Sequence, residues 1–267
     1  MPVRKDDSGR RFVQAEVEVP GSPEAVWNAI ASGPGISSWF VPSTVEQREG
    51  GTTTSSFGPG MDSTSVITTW DPPHRFVAEN TDDMGPGSPT IATEWSVEAQ
   101  SGGTCVVRVV HSWFADTDDW DSQFEGHEWG WIGFFKILRL YLQHFSGQQC
   151  SAFQVMGVSP EDVSATWRTF TAALGIADVA NGQSVASATG APVLSGIVEE
   201  LGPAEFPSAL LRLTQPAPGL AHFFPIQMDQ VYVSVRLFLY GPDGANGAAD
   251  AEASWQAWMS EHFPFPQ

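Results

Sequence analysis

Apolar and polar residues alternate with a period of two in several short stretches of the first half of the chain, which is typical of half-buried β-strands. Over 13–19, valine and alanine alternate with glutamine and glutamate. Over 104–114, Arg108 is expected to face water, which turns His111 and Trp113 toward the interior. The alternation predicts strands over 13–19, 44–48, 52–57, 64–70, 75–80, 91–98 and 104–114.

Two short helices are predicted between the first and the second of these strands, and a long helix is predicted after the last strand. Ser22 is a good N-cap and Pro23 fits the first helical position, which predicts a short helix up to the glycine- and proline-rich break at 33–35. A second short helix is predicted over 36–40. From 122 to 145 the apolar residues follow helical spacing around nearly the whole circumference. Such a helix is buried on more than one side, between domains or against another subunit, so a homodimer is compatible with the sequence.

Two local signals of the first half recur in the second half. The sequence SPEAV at 22–26 reappears as SPEDV at 159–163, 137 residues later. The stretch 67–76 aligns without gaps on 197–206, at an offset of 130 residues. Recurrence of two markers in the same order predicts a tandem duplication, with a second copy that is degenerate because few residues are identical.

The second half contains the same kinds of element as the first. A strand is predicted near 152–158, followed by a helix capped at Ser159, where Asp162 completes a capping box. The small and polar residues of 181–192 predict a long loop, and those of 241–249 a flexible linker. Further strands are predicted near 193–200, 208–214, 220–226 and 230–240, and a closing helix over 252–262.

Each half therefore has a strand, helices, antiparallel strands and a C-terminal helix in that order. This order predicts an α+β fold in which each half is a curved antiparallel sheet wrapped around a long C-terminal helix. The predicted domains are 12–147 and 148–267, after a charged leader over 1–11 that is expected to be disordered.

The charge balance narrows the range of partners. Acidic residues outnumber basic ones by 31 to 12, for a formal net charge of −19, and such a surface repels nucleic acids and anionic membranes. The most apolar helical stretch, 129–142, contains Lys136 and Arg139 and is too short to insert into a membrane. Cys105 and Cys150 have no CxxC spacing, so buried thiols in a reducing compartment are expected. Without an apolar signal sequence at its start, the protein is expected to be cytoplasmic.

Several short motifs occur in an order and spacing that resemble a known superfamily. The motifs are Pro23 to Trp27 in the first helix, Trp39 and Phe40 at the end of the second, the turn from Trp70 to Phe76, Gly103 and Thr104, the strand end from Val110 to Ser112, and Gly130 and Trp131 in the long helix. Over about 13–145 the chain resembles the START-related (SRPBCC) superfamily of helix-grip proteins. Within it, the chain is most similar to the group named after the activator of the heat-shock-protein-90 ATPase.

The resemblance implies a space between the sheet and the long helix. Members of the superfamily commonly bind lipids, polyketides or other apolar molecules there, and some catalyse reactions in the cavity. The same aromatic residues could instead form an ordinary core, since aromatics at strand and helix spacing usually do. The candidate ligand-binding residues of this chain are Trp39, Phe40, Trp70, Trp95, His111, Trp113, Trp131 and Phe135.

His111 is the candidate catalytic residue. Alignment of Arg108 with Arg236 places Leu239 at its position in the second copy, so the first domain alone carries a titratable group there. His111 could act as a proton shuttle or donate a hydrogen bond to a ligand carbonyl. The favoured interpretation is a buried neutral histidine whose ring is satisfied by a backbone carbonyl or by a hydroxyl beside a tryptophan.

No cofactor and no metal site are expected. The segment 125–128 resembles half of an H-E-x-x-H motif, but Trp131 stands where the second histidine would be needed. The aspartates of 116–121 lack the ligand spacing of a calcium loop. The chain contains no P-loop, Rossmann or nucleophile-elbow motif.

Three classes of function remain open from the sequence. The main hypothesis is that the N-terminal cavity binds a small apolar or aromatic molecule, such as a lipid or a polyketide-like metabolite. The alternative is an enzyme of the cyclase, aromatase or hydrolase kind, with His111 as acid or base; against it, no second inward titratable group is evident. The third is a co-chaperone-like interaction module, although the sequence shows no additional chaperone-binding domain.

Overall fold

The chain folds into two compact units, each built from an antiparallel sheet and helices. The computed structural model describes residues 3–57, 62–81, 88–114 and 121–266, with the backbone alone for 121–129. The units are Met1–Gly147 and Gln148–Gln267. The predicted α+β fold class is confirmed.

Among the described residues, the N-terminal unit consists of one antiparallel sheet and three helices. Its strands are β1 Arg4–Lys5, β2 Arg11–Pro20, β3 Ser43–Val45, β4 Thr52–Ser56, β5 Asp62–Asp71, β6 Arg75–Asn80, β7 Ile91–Ala99 and β8 Thr104–Trp113, and its helices are α1 Pro23–Ala31, α2 Gly33–Ser37 and α3 Asp121–His144. The strand order is β1-β2-β8-β7-β6-β5-β4-β3, and α3 packs along β2. A register shift between Ile67 and Thr69 interrupts the pairing of β5 with β6, which bends the sheet. In the described part of the chain, no helix combines the length and the apolar character needed to cross a bilayer.

Serine side chains cap both short helices of this unit. Ser22 accepts a hydrogen bond from the backbone N–H of Ala25, which confirms it as the N-cap of α1. Ser32 caps α2 in the same way, with its hydroxyl 3.1 Å from the backbone nitrogen of Gly35. The helix α2 therefore begins three residues earlier than predicted. The segment interpreted as a break is its first turn, because Pro34 fits that position and Ser32 satisfies a free N–H.

The leader over 1–11, predicted to be disordered, forms a hairpin in its described part. Strand β1 pairs with the start of β2. The turn between them is held by the carboxylate of Asp6, which accepts hydrogen bonds from the backbone N–H groups of Ser8 and Arg10 and forms an ion pair with the Arg10 side chain at 3.1 Å. The prediction of disorder is wrong here because it weighed charge alone, whereas an aspartate bonded to the backbone stabilises a turn locally.

The C-terminal unit repeats the connectivity of the first with fewer elements. Its strands are β9 Cys150–Ser159, β10 Ser184–Ala186, β11 Ser195–Leu201, β12 Ala209–Gln215, β13 Gly219–Gln227 and β14 Val231–Tyr240, and its helices are α4 Val163–Leu174 and α5 Gly241–His262. The strand order is β10-β11-β12-β13-β14-β9. In both units the first long strand pairs with the strand that precedes the last helix, and the others follow in reverse order of sequence. Shared connectivity with fewer strands is what a tandem duplication with a degenerate second copy produces.

The first recurring marker differs in detail between the two units. The N-cap of α4 is Asp162, whose carboxylate accepts a hydrogen bond from the Ala165 backbone N–H at 2.7 Å, and not Ser159 as predicted. The Ser159 hydroxyl instead accepts a buried hydrogen bond from the Thr166 hydroxyl at 2.8 Å. Since both residues are good caps, their spacing in the sequence alone did not decide between them.

The second recurring stretch, 67–76 aligned on 197–206, also agrees with the structure only in part. Phe76 lies in β6 and is 2% exposed, whereas its aligned counterpart Phe206 is 56% exposed. Phe206 lies in the turn between β11 and β12, which is longer than the turn between β5 and β6, so the gapless alignment does not match equivalent positions there. The loop predicted over 181–192 likewise contains the short strand β10, which pairs with β11.

The flexible linker predicted over 241–249 is the first half of the helix α5. Pro242 fits the first turn of the helix. Gly244 lies against the preceding strand, where a Cβ would come within 2.6 Å of the carbonyl carbon of Leu239. The prediction is wrong because glycine disfavours a helix in isolation, whereas packing against the sheet stabilises this one.

Two glycines of α5 give a test of this packing. We expect Gly244→Ala to destabilise the C-terminal unit, because the added Cβ would lie 2.7 Å from the carbonyl oxygen of Leu239. Gly247→Ala, in the same helix, meets nothing within 4 Å and is expected to stabilise it by about 0.5–1 kcal/mol. Urea unfolding measures the change in the free energy of unfolding of each variant. Equal changes in the two variants would contradict the close approach of Gly244 to Leu239.

Both cysteines are free thiols. Cys105 is buried and Cys150 is half-buried. Burial raises the pKa of the Cys150 thiol to about 12, and burial followed by the charge of Glu24 also raises the pKa of Cys105. Neither group is a reactive thiolate near neutral pH, since reactivity requires deprotonation.

Candidate functional site

A cavity of about 320 Å³ lies between the sheet and the helices of the N-terminal unit. Its size falls at the lower end of the range of small-molecule sites. Aromatic side chains form one group of lining residues and polar side chains another. The aromatic group is Trp39, Phe40, Phe57, Phe76, Trp95, Trp131 and Phe134, and the polar group is Thr53, Ser55, Ser63, Ser65, Asn80, Thr93 and His111.

The rings of the aromatic group contact one another around Trp131. The Trp131 ring stacks on Phe40 with centroids 5.0 Å apart and meets Trp95 edge-on at 5.0 Å. Phe134 in turn meets Phe40 edge-on at 4.4 Å. Because each ring is held by its neighbours, the group offers a rigid apolar surface to a ligand.

Trp39 anchors this surface to the helices. It is 0% exposed and donates its indole N–H to the backbone carbonyl of Ala29 in α1, at 2.9 Å. Its ring meets the Trp95 ring edge-on at a centroid distance of 6.1 Å. It also lies against the Phe135 ring in a tilted arrangement, with centroids 6.4 Å apart. The end of α2 is thereby joined to both the sheet and α3.

Hydroxyl side chains of β4 and β5 form a polar wall of the cavity, in the same sheet as Trp95. Thr53 lies opposite Ser65, and Ser55 lies opposite Ser63. Residues two positions apart on a strand share a face, so all four point to the same side of the sheet. The side-chain amide of Asn80 in β6 extends the wall and lies 3.4 Å from the Ser63 hydroxyl. Hydroxyl groups both donate and accept, so this wall can bind ligand oxygens of either kind.

His111 joins the polar group to the aromatic group. Its Nε2 accepts a hydrogen bond from the indole N–H of Trp131, and its Nδ1 lies 2.9 Å from the Thr93 hydroxyl oxygen. An indole nitrogen can only donate, so Nε2 carries no proton, and the proton of the neutral ring is on Nδ1. This geometry matches the interpretation of His111 as a neutral histidine bonded to a hydroxyl beside a tryptophan.

The described part of the lining is uncharged. Among the described residues that line the cavity, none is aspartate, glutamate, lysine or arginine. An ionised ligand group would enter this space without a countercharge, which costs several kcal/mol or more.

The structure brings five of the eight predicted ligand-binding residues to the cavity: Trp39, Phe40, Trp95, His111 and Trp131. The other three lie outside its lining. Trp70 packs edge-on against Trp27, with centroids 5.2 Å apart. Trp113 is 1% exposed in a cluster with Val13. Phe135 is 2% exposed and lies behind Trp131.

The residues of the polar wall and Thr93 were not among the site residues predicted from the sequence. For Thr93 a signal existed, since it alternates in phase with Trp95 in β7 and therefore faces inward with it. For the wall there was none, because β4 consists of threonine and serine only and has no apolar alternation that would tell its two faces apart.

The corresponding space of the C-terminal unit is filled by side chains. Leu239, the counterpart of His111, is 0% exposed in a continuous apolar core. Phe223 and Trp255 pack together in the same core, with centroids 5.6 Å apart. Phe170 contacts Phe223 at 5.5 Å from the opposite helix, so large side chains from α4, α5 and the sheet meet one another.

The described residues contain no cluster of three or more histidine, cysteine, aspartate or glutamate side chains that could hold a metal ion. The two segments weighed as metal sites from the sequence, 116–121 and the side chains of 125–128, lie outside the described part. The described lining of the cavity offers hydroxyls, one amide and one imidazole, a set suited to hydrogen bonding.

Several solved structures are similar to the chain at low sequence identity. The di-domain ARO/CYC protein BexL from the BE-7585A biosynthetic pathway is 12% identical, with 96% of this chain and 100% of that chain covered and a TM-score of 0.47. DynU16, from the dynemicin biosynthetic locus, is 15% identical over 95% of this chain and 96% of that chain, with a TM-score of 0.42. The Aha1 dimer from Colwellia psychrerythraea is 18% identical over 51% of this chain and 98% of that chain, with a TM-score of 0.44.

Sequence comparison identifies the family. No curated protein matches the chain. Residues 11–142 match the model of a family described as polyketide cyclase / dehydrase and lipid transport, a match that spans nearly all of the N-terminal unit. Together with the sheet and helices of each unit, this match assigns the chain to the START-related (SRPBCC) helix-grip superfamily, and residues 11–142 are similar to its polyketide cyclase / dehydrase and lipid transport family.

Proposed function

We propose that the N-terminal unit binds one small, uncharged, largely aromatic or apolar molecule in the cavity between the sheet and α3. The observation that carries the proposal is the cavity of about 320 Å³, which is lined by both an aromatic surface and a hydroxyl wall. A space of this volume next to large aromatic residues would be filled by side chains if the unit served only as a scaffold.

The difference between the two units supports this proposal. The C-terminal copy carries Leu239 in a filled core, where the N-terminal copy carries His111 beside a cavity. A duplicated fold can therefore fill this space with its own side chains, and the N-terminal unit does not. The family description, which names polyketide cyclases, dehydrases and lipid transport, is consistent with an apolar ligand.

The uncharged lining narrows the ligand class. Fatty acids and phospholipids carry an anionic group, which would need a cation that the described lining does not provide. A flat molecule with neutral oxygen substituents fits better, because its faces can contact the rings of Trp95 and Trp131 while its oxygens face the hydroxyl wall. We therefore favour a neutral aromatic or polyketide-like molecule over an ionised lipid.

Catalysis of the cyclase or dehydrase kind is the second candidate, because His111 lines the same cavity. As an acid or base, His111 would have to exchange one of its two hydrogen bonds for a bond to the substrate. The observed arrangement holds the ring rigidly in one tautomer. It supports a role in orienting a bound molecule more directly than a role in proton transfer.

The proposal is tested by native mass spectrometry of the freshly purified full-length protein, followed by solvent extraction and mass analysis of any bound molecule. We expect a stoichiometric, uncharged molecule that is released on denaturation, or saturable 1:1 binding of the neutral fluorophore N-phenyl-1-naphthylamine if the protein is purified empty. A bare protein mass together with no saturable binding of this fluorophore would contradict the proposal.

A further inference from the structure

Thr93 occupies a central position in the cavity that the aromatic pattern of the sequence does not reveal. It lies in β7, directly opposite His111 in β8 and opposite Ala78 in β6. All three residues line the cavity, so the Thr93 side chain faces the ligand space from the middle of the sheet. Two residues along the same strand, Trp95 presents its ring on the same face.

The hydrogen bonds of its neighbours fix the direction of the Thr93 hydroxyl. The Trp131 indole donates to Nε2 of His111, so the ring donates from Nδ1 to the Thr93 oxygen, 2.9 Å away. The Thr93 hydroxyl therefore accepts from His111 and cannot donate to it. Among the described residues, no other hydrogen bond of the Thr93 hydroxyl is found, so its proton is available to an acceptor in the cavity.

We propose that Thr93 is the hydrogen-bond donor that orients the ligand, and that it selects molecules with a carbonyl or other neutral acceptor oxygen at this point. His111 and Trp131 act as positioning residues, since they make the Thr93 hydroxyl a donor without contributing charge. A hydroxyl that already accepts a hydrogen bond is also polarised toward stronger donation. The inference rests on the proposed function, because it requires that a ligand occupies the cavity.

The experiment uses two neutral fluorophores on the full-length protein. One is 6-propionyl-2-(dimethylamino)naphthalene, whose carbonyl shifts the emission to longer wavelength when it accepts a hydrogen bond. The other is N-phenyl-1-naphthylamine, which has no carbonyl. Thr93→Val removes the hydroxyl with little change of shape, and Thr93→Ser retains it. The control is Thr64→Val, which makes the same change at an exposed position of β5 that does not line the cavity.

For Thr93→Val we expect the bound carbonyl probe to emit at shorter wavelength and to bind about 3- to 10-fold more weakly, as the loss of one hydrogen bond predicts. Binding of N-phenyl-1-naphthylamine should stay within about 2-fold, because that probe makes no such bond. Thr93→Ser should behave like the unmodified protein in both measurements, and Thr64→Val should leave the emission maximum of the carbonyl probe unchanged.

The outcomes separate this inference from the proposed function. If N-phenyl-1-naphthylamine binds, but the carbonyl probe either fails to bind or emits identically from the unmodified protein and Thr93→Val, the role of Thr93 is refuted and the cavity remains a binding site. Equal emission shifts in Thr64→Val and Thr93→Val would also refute it. If neither probe binds to the unmodified protein, the proposed function fails, and this inference fails with it.

Discussion

Replacing Ser65 with phenylalanine is expected to weaken binding of N-phenyl-1-naphthylamine at least about 10-fold, a loss of roughly 1.4 kcal/mol or more of binding free energy. Ser65 lies on the hydroxyl wall and lines the cavity. A phenyl ring at this position projects into a space of about 320 Å³ and takes up much of the volume that a bicyclic ligand needs. The measurement is a fluorescence titration of the purified protein at fixed ionic strength.

The neighbouring residue provides a matched control. Thr64 is exposed on the opposite face of the same strand, where its hydroxyl contacts that of Thr54 at 2.9 Å. Thr64→Phe makes the same change of size without entering the cavity, so its affinity for the fluorophore should stay within about 2-fold of the unmodified protein. Melting curves of both variants show whether the fold is retained. Unchanged affinity in a folded Ser65→Phe variant would show that the fluorophore binds elsewhere.

Trp39→Ala is expected to lower the free energy of unfolding of the N-terminal unit by about 3–5 kcal/mol. Trp39 is 0% exposed, and its removal leaves a void between the helices and the sheet. It also removes the donor to the Ala29 carbonyl in α1. These two losses act on the same contact between α1, the end of α2 and the aromatic surface, so the effect should be near the upper end of the range.

Urea unfolding followed by circular dichroism measures this effect, with attention to separate transitions because the chain has two compact units. The control is Val66→Ala, a smaller truncation at a position that is 48% exposed, which should change stability by no more than about 0.5 kcal/mol. A Trp39→Ala variant as stable as the Val66→Ala variant would contradict the role of Trp39 as an anchor.

Much of the N-terminal fold was predictable from local pattern. The alternation in 91–98 predicted β7 to within one residue of its observed bounds and assigned Trp95 to the inner face. Ser22 was predicted as the N-cap of α1 because a serine before proline satisfies a free backbone N–H within four residues. Local hydrogen bonds and the alternation of buried and exposed residues along a strand act over short distances. A single sequence therefore contains the information needed to predict these elements.

Two errors fall where long-range packing outweighs local preference. The stretch 241–249 has a composition typical of a loop, but it is helical because Gly244 allows α5 to approach Leu239. Phe206 aligned with Phe76 in sequence, but its turn has a different length, and Phe206 is exposed. In both cases the outcome depends on what lies opposite the residue in space, which no nearby sequence position specifies.

The same division holds for the candidate site. By itself, the sequence determined the α+β class, the tandem order of the elements, the inward row of aromatic residues and an inward His111, because period and order are properties of neighbouring residues. Only the tertiary structure decided that Trp39, Trp95 and Trp131 border a cavity while Trp113 is packed in a separate cluster. The tertiary structure also set the direction of the hydrogen bonds at His111, since that direction depends on which groups from α3 and β7 meet the ring. Whether inward side chains fill a space or leave it open depends on how separate elements fit together, and that is a property of the assembled fold.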